Sequence, residues 1–218
     1  LESFICMLFL KTFLLLFFFI AKPLAALETR QGWELAKQEK GITVYTRKLA
    51  NSNYPEFRGE MNIDANIDEL LAFIDNDENC ANWRYKCIKM INLSDNYIYR
   101  LSNLPWPFSN RYTVMKSITY FDQQKNCYTV KLTNIKRSQL PQTIQTQLPT
   151  AKDTVQMRYS DGYWLLKLAP TDNNIQITYQ MHGDADATLP SELTQLGIVN
   201  SAFVTLNNLK KHFTQVDR

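Results

Sequence analysis

The sequence predicts an α+β fold in which a curved antiparallel sheet of about nine strands wraps around one long C-terminal helix. Short segments rich in β-branched and aromatic residues follow one another from Trp33 to His182, separated by turn signals. The last stretch, Leu189 to Phe213, has a helical period instead. Its apolar positions recur every three or four residues: Leu193, Leu196, Val199, Phe203, Leu206, Leu209 and Phe213. Such a helix has to bury its apolar side, and the face of the sheet is the partner.

The composition excludes several classes of protein. The formal net charge of +3 is mild, and lysines and arginines are scattered singly, so we expect no nucleic-acid partner. Only 6 glycines and 8 prolines occur in 218 residues, which argues against disorder or a long linker. His182 and His212 do not cluster with the cysteines, so we expect neither a metal site nor a cofactor.

Residues 1–26 have the features of a signal peptide. The apolar run Thr12 to Ala21 lies between two lysines, and the small residues Ala25 and Ala26 follow it. This run has ten residues, which is too short for a helical membrane span of roughly 20. Counting from Ser3 would lengthen the segment, so an uncleaved membrane anchor is the alternative. We therefore expect residues 27–218 to form one periplasmic or secreted domain.

Export changes how the cysteines are interpreted. Removal of the leader leaves Cys80, Cys87 and Cys127. Cys80 and Cys87 are close enough in sequence for a loop-closing disulfide, which would leave Cys127 as a buried thiol. Three reduced core cysteines are the alternative.

The first half of the domain alternates strands with short helices. The pair Lys40-Gly41 predicts a turn between two antiparallel strands within Trp33 to Arg47. A strand follows at Phe57 to Ile63. The period then changes, so Asn66 to Asp75 is predicted as a helix and Asn79 to Trp83 as a helical turn.

The second half returns to strands. Four segments are rich in β-branched and aromatic residues: Cys87 to Leu93, Tyr97 to Ser102, Tyr112 to Phe121 and Tyr128 to Ile135. The pair Asp161-Gly162 predicts a hairpin between strands at Thr154 to Ser160 and Tyr163 to Leu168. The last strand is predicted at Ile175 to His182, where apolar and polar residues alternate.

The most specific string is Pro105-Trp106-Pro107-Phe108-Ser109-Asn110-Arg111. Its two prolines fix φ on either side of an indole, so this loop is stiff. Together with Trp83, the strand Gly41 to Arg47 and the Leu189-Pro190 start of the last helix, it resembles the START lipid-transfer domain family, specifically its exported bacterial members. The resemblance covers about Trp33 to Phe213.

The resemblance implies a helix-grip fold with a tunnel for one lipid-like molecule. The 105–111 loop would lie at the tunnel mouth, and the C-terminal helix would be the movable lid. The chain departs from the family at three points. Tyr112 follows Arg111 where the family often has an aspartate, and Asp184-Ala185-Asp186-Ala187 replaces Asp-Pro-Gly-Gly. Ser117 stands where some animal members carry a charged residue in the cavity.

The function expected from this resemblance is non-enzymatic binding, with transfer or sensing of a lipid or other apolar small molecule. The expected partners are that ligand and, transiently, a membrane surface, and we expect the protein to act as a monomer. The predicted ligand-binding residues are Trp106, Arg111, Met115, Ser117, Phe121, Leu196, Val199, Phe203 and Leu206. One alternative is a cyclase or hydrolase in the same cavity, with His182 as the acid–base candidate. Another is an interaction module whose cavity is filled by its own aromatics.

Overall fold

The computed structural model describes residues 32–150, 152–170, 173–185 and 191–216. The predicted signal peptide and Pro190 lie outside these residues. The described strands are β1 Glu34–Glu39, β2 Ile42–Arg47, β3 Glu56–Asp64, β4 Cys87–Asn92, β5 Tyr97–Ser102, β6 Asn110–Asp122, β7 Cys127–Asn134, β8 Thr154–Gln156, β9 Tyr159–Leu168 and β10 Asn174–Asp184. The described α-helices are α1 Ile67–Asp75, α2 Cys80–Trp83, α3 Gln142–Gln145 and α4 Ser191–Val216. Short 3₁₀ turns lie at Ser94–Asn96 and Arg137–Gln139.

The strands form one sheet in the order β1-β2-β3-β10-β9-β7-β6-β5-β4. Neighbours along this path are antiparallel, whereas the short β8 pairs with β6 in parallel. The predicted fold class, a curved antiparallel sheet with a long C-terminal helix, is therefore confirmed. None of the described helices is both long enough and apolar enough to cross a lipid bilayer.

Helix α4 approaches the sheet closely at Gly59 on β3. A Cβ atom at Gly59 would lie 2.6 Å from Leu206 Cδ1 and 3.3 Å from Ala202 Cβ. Leu206 and Ala202 are fully buried, and Phe203 and Leu209 lie in the same core cluster. Absence of a side chain at residue 59 thus lets the apolar stripe of α4 rest directly on β3.

The predicted hairpin at Asp161-Gly162 is wrong, because β9 runs without interruption from Tyr159 to Leu168. Within β9, Gly162 is paired with Met181 of β10. A Cβ atom at Gly162 would lie 2.1 Å from the carbonyl oxygen of Gln180 and 2.4 Å from Met181 Sδ. Glycine is needed there for a close approach of two strands and not for a turn. The side chain of Asp161 accepts a hydrogen bond from the Asn134 backbone N–H at 2.7 Å.

No helix or strand was predicted from the sequence for the segment 136–150. The Arg137–Gln139 turn and α3 lie there, and they bring Leu140, Ile144 and Leu148 against Tyr99 and Val114. This second cluster packs on the face of β5 opposite Ile98, since successive side chains of a strand point to opposite faces. The sheet at β5 and β6 is therefore covered on both sides.

Candidate functional site

Two cavities lie on the inner face of the sheet, and Arg84 borders both of them. The first, which we call the α1 cavity, has a volume of about 540 Å³ and is bordered by residues that include Leu71, Ile74, Ser117, Leu132 and Trp164. The second, the α4 cavity, has a volume of about 480 Å³ and is bordered by residues that include Phe57, Leu104, Met181, Ile198 and Thr205. Both volumes fall in the usual range for small-molecule sites, about 300–1,000 Å³.

Helix α4 uses a separate face for the α4 cavity. Thr194, Ile198, Ser201 and Thr205 border this cavity at a spacing of four, three and four residues, which places them on one side of the helix. Gly197 lies beside them, and nothing comes within 4 Å of a Cβ atom built there. Threonine, serine and glycine residues on this face leave open space next to the helix, whereas Phe203, Leu206 and Leu209 of the apolar stripe fill the core.

The segment between α2 and β4 is fixed beneath α4. The backbone N–H of Tyr85 donates to Thr205 Oγ1 at 3.1 Å, and Asn208 Nδ2 donates to the carbonyl of Trp83 at 3.4 Å. A disulfide joins Cys80 to Cys87 with a Cα–Cα distance of 5.8 Å. Two hydrogen bonds with α4, one accepted and one donated by the helix, and one covalent bond thus position the residues between these cysteines.

Cys127 is a free, buried thiol. Burial raises the pKa of this thiol above its ordinary value. Among the residues that the structure describes, no group of three or more histidine, cysteine, aspartate or glutamate side chains could hold a metal ion.

Arg84 is the most unusual residue of this segment, because its guanidinium is buried with only 8% of the residue exposed. Its Nη2 donates to the carbonyl of Ile74 at 2.9 Å, while its Nε has no hydrogen-bond partner among the described residues. The guanidinium lies 4.1 Å from the ring centroid of Trp83. Burial lowers the pKa of Arg84 to about 10, so the side chain remains protonated at neutral pH.

The charges around the α4 cavity are of one sign. Its described lining contains the basic residues Arg84, Lys86, Arg100 and Arg111 and no aspartate or glutamate. Arg100 projects from β5 on the same face as Ile98 and Ser102. Its Nε is also buried without a hydrogen-bond partner in the described part of the chain.

Three of the predicted ligand-binding residues border a cavity. Arg111 and Leu196 border the α4 cavity, and Ser117 borders the α1 cavity. Arg111 is already engaged, because Nη1 donates to the carbonyl of Ser109 at 2.6 Å and Nε donates to the carbonyl of Ala185. Two backbone carbonyls therefore take the place of the aspartate that the family often has beside this arginine.

The other six predicted residues border neither cavity. Met115, Phe203 and Leu206 are buried in the main core, and the half-buried Val199 packs against it. Trp106 is 92% exposed in the loop before β6. Phe121 is an exposed residue whose ring centroid lies 4.5 Å from that of Tyr128. It lies outside the cavities because β6 is 13 residues long and continues past them.

Reasoning from sequence missed the polar residues at the cavities, namely Arg84, Arg100 and Thr205. A signal for Arg100 was present, since it alternates with Ile98 and Ser102 on one face of a predicted strand. No local pattern marks Arg84, because its burial depends on α2 folding under α4.

His182, the acid–base candidate of the enzyme alternative, lies outside the α4 cavity. Tyr179 and Met181 border that cavity, so the alternation of β10 turns His182 to the opposite face. Its Nε2 is 2.9 Å from Tyr159 Oη, 3.0 Å from Ser52 Oγ and 3.1 Å from the carbonyl oxygen of Tyr54. These contacts give His182 a local role in joining the 52–54 segment to β9 and β10.

Comparison with known proteins places the fold among lipid-transfer domains. No family model matches this sequence. The chain is 25% identical over 185 residues to an uncharacterised protein of Pseudomonas aeruginosa, covering 83% of this chain and 86% of that protein. Among solved structures, it is similar to a STAR-related lipid transfer protein from Xanthomonas axonopodis, with 29% identity, a TM-score of 0.69 and coverage of 84% of this chain and 99% of that one.

A second solved structure, human StAR-related lipid transfer protein 5, is 14% identical with a TM-score of 0.70 and coverage of 87% of this chain and 89% of that one. Structural neighbours of this chain are thus START-related lipid-transfer domains, and they share its helix-grip fold.

Proposed function

We propose that the protein binds one lipid or other apolar small molecule in the α4 cavity and acts as a carrier or sensor. The observation that carries this proposal is a cavity of about 480 Å³, with apolar walls at Phe57, Met181 and Ile198, in a fold shared with lipid-transfer proteins. Burying a ligand's apolar surface contributes about 25 cal/mol per Å² removed from water. The open space beside Gly197 supports the proposal, because a helix that served only the core would be packed there.

The N-terminal half of α4 and the 105–111 loop form the proposed gate. Leu104, Pro105 and Arg111 border the same cavity as Thr194 and Ile198, so the loop and the helix are two walls of one space. Separation of these walls would widen the opening of the cavity enough for a ligand to enter or leave.

A membrane surface is the proposed place of exchange. Trp106 follows a cavity-lining proline and is 92% exposed, and Leu196 borders the cavity while 60% exposed. Tryptophan favours the interface between water and lipid, since its ring is apolar and its N–H is polar. Exchange at that interface would spare the ligand a passage through bulk water.

An exported location is also proposed. The disulfide between Cys80 and Cys87 and the apolar run Thr12 to Ala21 support it, because structural disulfides persist in oxidising compartments. We propose a monomer as the working form, which sedimentation velocity with and without bound ligand would test.

Binding is tested with a cavity-filling variant and a matched control. Gly197→Phe places a large side chain into the open space, while Gln195→Phe places the same side chain at an exposed position of α4 that does not border the cavity. We expect lipid mass spectrometry of the purified wild-type protein to show a retained or exchangeable lipid. Gly197→Phe should weaken binding at least about tenfold, and Gln195→Phe should bind normally. No binding across a broad lipid panel, or equal binding by both variants, would refute the proposal.

The gate has its own test. Pro105→Cys and Leu196→Cys combined and joined by a bifunctional maleimide should slow ligand exchange at least about tenfold relative to the same variant without the cross-linker. Unchanged exchange after cross-linking would show that these walls do not separate during release.

A further inference from the structure

We propose that the ligand of the α4 cavity carries an anionic head group, a carboxylate or a phosphate, which Arg84 and Arg100 bind. This inference rests on the proposed function and adds the chemical class of the ligand. The lining of the α4 cavity is cationic and contains no described aspartate or glutamate, and the one carboxylate whose charge acts on Arg84, that of Asp75, borders the α1 cavity instead.

Arg84 provides the strongest observation. A buried guanidinium is normally paired with a carboxylate and fully hydrogen-bonded, because removal from water is unfavourable otherwise. Arg84 has one backbone acceptor, Ile74, and its Nε is left without a partner among the described residues. Because Arg84 borders the cavity, its guanidinium is suited to bind an acceptor on a ligand.

Arg100 is the second cation of the proposed anion site. Its Nε is likewise buried and unpartnered in the described part of the chain, and it borders the same cavity. Burial is the main cause that lowers the pKa of Arg84, and the positive charge of Arg100 lowers it further, so the two cations repel each other. An anion between them would remove this repulsion and satisfy both donors.

The other two cations have different roles. Arg111 is occupied by the backbone carbonyls of Ser109 and Ala185. Lys86 is an exposed residue at the cavity wall, where it would attract an anion without burying it. Arg84 and Arg100, whose Nε atoms are buried without a partner in the described part of the chain, therefore determine the head group.

A planar guanidinium can donate two parallel hydrogen bonds to a carboxylate or to a phosphate, so geometry alone fits both. A free fatty acid would supply the first and a phospholipid the second. Three single-chain probes of equal length separate these sources from a neutral ligand: palmitate, hexadecyl phosphate and hexadecanol. Each is titrated against the wild-type protein by displacement of a fluorescent apolar dye.

We expect at least one anionic probe to bind at least about tenfold more tightly than hexadecanol, because charge-assisted hydrogen bonds are stronger than neutral ones. A preference for both anions supports a general anion site, and a preference for one identifies its source. Arg84→Gln should reduce that preference at least about tenfold, because the anionic probes lose a charge-assisted hydrogen bond and hexadecanol loses at most a weaker one. Arg100→Gln is the second variant, which keeps the test valid should Arg84→Gln fail to fold.

Lys131→Gln is the matched control, since it removes one charge from an exposed position that borders neither cavity. It should leave the preference unchanged. If hexadecanol binds as tightly as both anions, or if neither arginine variant alters the preference, the anion site is refuted while the proposed function stands. If none of the three probes binds, the proposed function fails together with the anion site.

Discussion

Replacing Gly59 by alanine should push α4 away from the sheet. The added methyl group would lie 2.6 Å from Leu206 Cδ1, whereas carbon atoms in good contact are about 3.5–4.0 Å apart. Overpacking of this kind destabilises a core by about 1–3 kcal/mol. Alanine also restricts the unfolded chain more than glycine does, and this effect offsets about 0.4–1 kcal/mol of the destabilisation. We therefore expect Gly59→Ala to lower the free energy of unfolding by about 1–2 kcal/mol.

A double-mutant cycle tests whether Leu206 is the cause. Leu206 is fully buried, so Leu206→Ala alone should lower the free energy of unfolding by about 2–5 kcal/mol. In the double variant the obstacle to the new methyl group is gone. Its total loss should be smaller than the sum of the single losses by at least about 1 kcal/mol.

Urea denaturation followed by tryptophan fluorescence measures these values, and an unchanged m-value would show that the denatured state is unaltered. Gly197→Ala is the control glycine variant in α4: its Cβ atom meets nothing within 4 Å, so it should stabilise the protein by up to about 1 kcal/mol. A wild-type stability for Gly59→Ala, or strict additivity with Leu206→Ala, would refute the described contact between α4 and β3.

Three further predictions concern the sheet and the cysteines. Gly162→Ala should destabilise the protein more than Gly59→Ala, because its Cβ atom would meet a backbone oxygen at 2.1 Å; equal urea midpoints for the two variants would contradict this. Removal of the disulfide by Cys80→Ala with Cys87→Ala should lower the free energy of unfolding by about 2–3 kcal/mol, as expected for a short closed loop, and an unchanged midpoint would argue that the bond is absent. Burial raises the pKa of the Cys127 thiol, so its contribution to stability is present below pH 9.0, its ordinary pKa, and is lost as the pH rises through the folded value. The free energy of unfolding should therefore fall less for Cys127→Ala than for the wild type between pH 8 and about pH 10.5. Equal decreases in the two proteins would show that ionisation of Cys127 does not affect stability.

Local sequence patterns were sufficient for much of the fold. The strand Tyr97–Ser102 lies where its aromatic and β-branched residues predict it. The apolar stripe of α4 indicated a core-facing helix, and Phe203, Leu206, Leu209 and Phe213 are buried as this periodicity requires. These features are predictable because each depends on the period of one segment and on burial of one face.

The cavities depend on contacts between distant segments and were not predictable in the same way. Asp161-Gly162 has the composition of a turn, yet Gly162 is needed for the close approach of Gln180 and Met181 from another strand. The cavity face of α4 mixes Thr194, Ile198 and Ser201, so no hydrophobic pattern marks it. Arg84 has no local signal at all, because its burial results from packing beneath α4.

The disulfide between Cys80 and Cys87 has a consequence for how the protein matures. Arg84 and Tyr85, which border the α4 cavity, lie inside the loop that this bond closes, so the disulfide restrains part of the cavity wall. In a reducing cytosol the same segment would be held by noncovalent contacts alone, such as the hydrogen bond from Tyr85 to Thr205. Protein prepared by cytosolic expression should therefore be oxidised before its ligand specificity is measured, since the disulfide restrains the segment that carries the buried guanidinium.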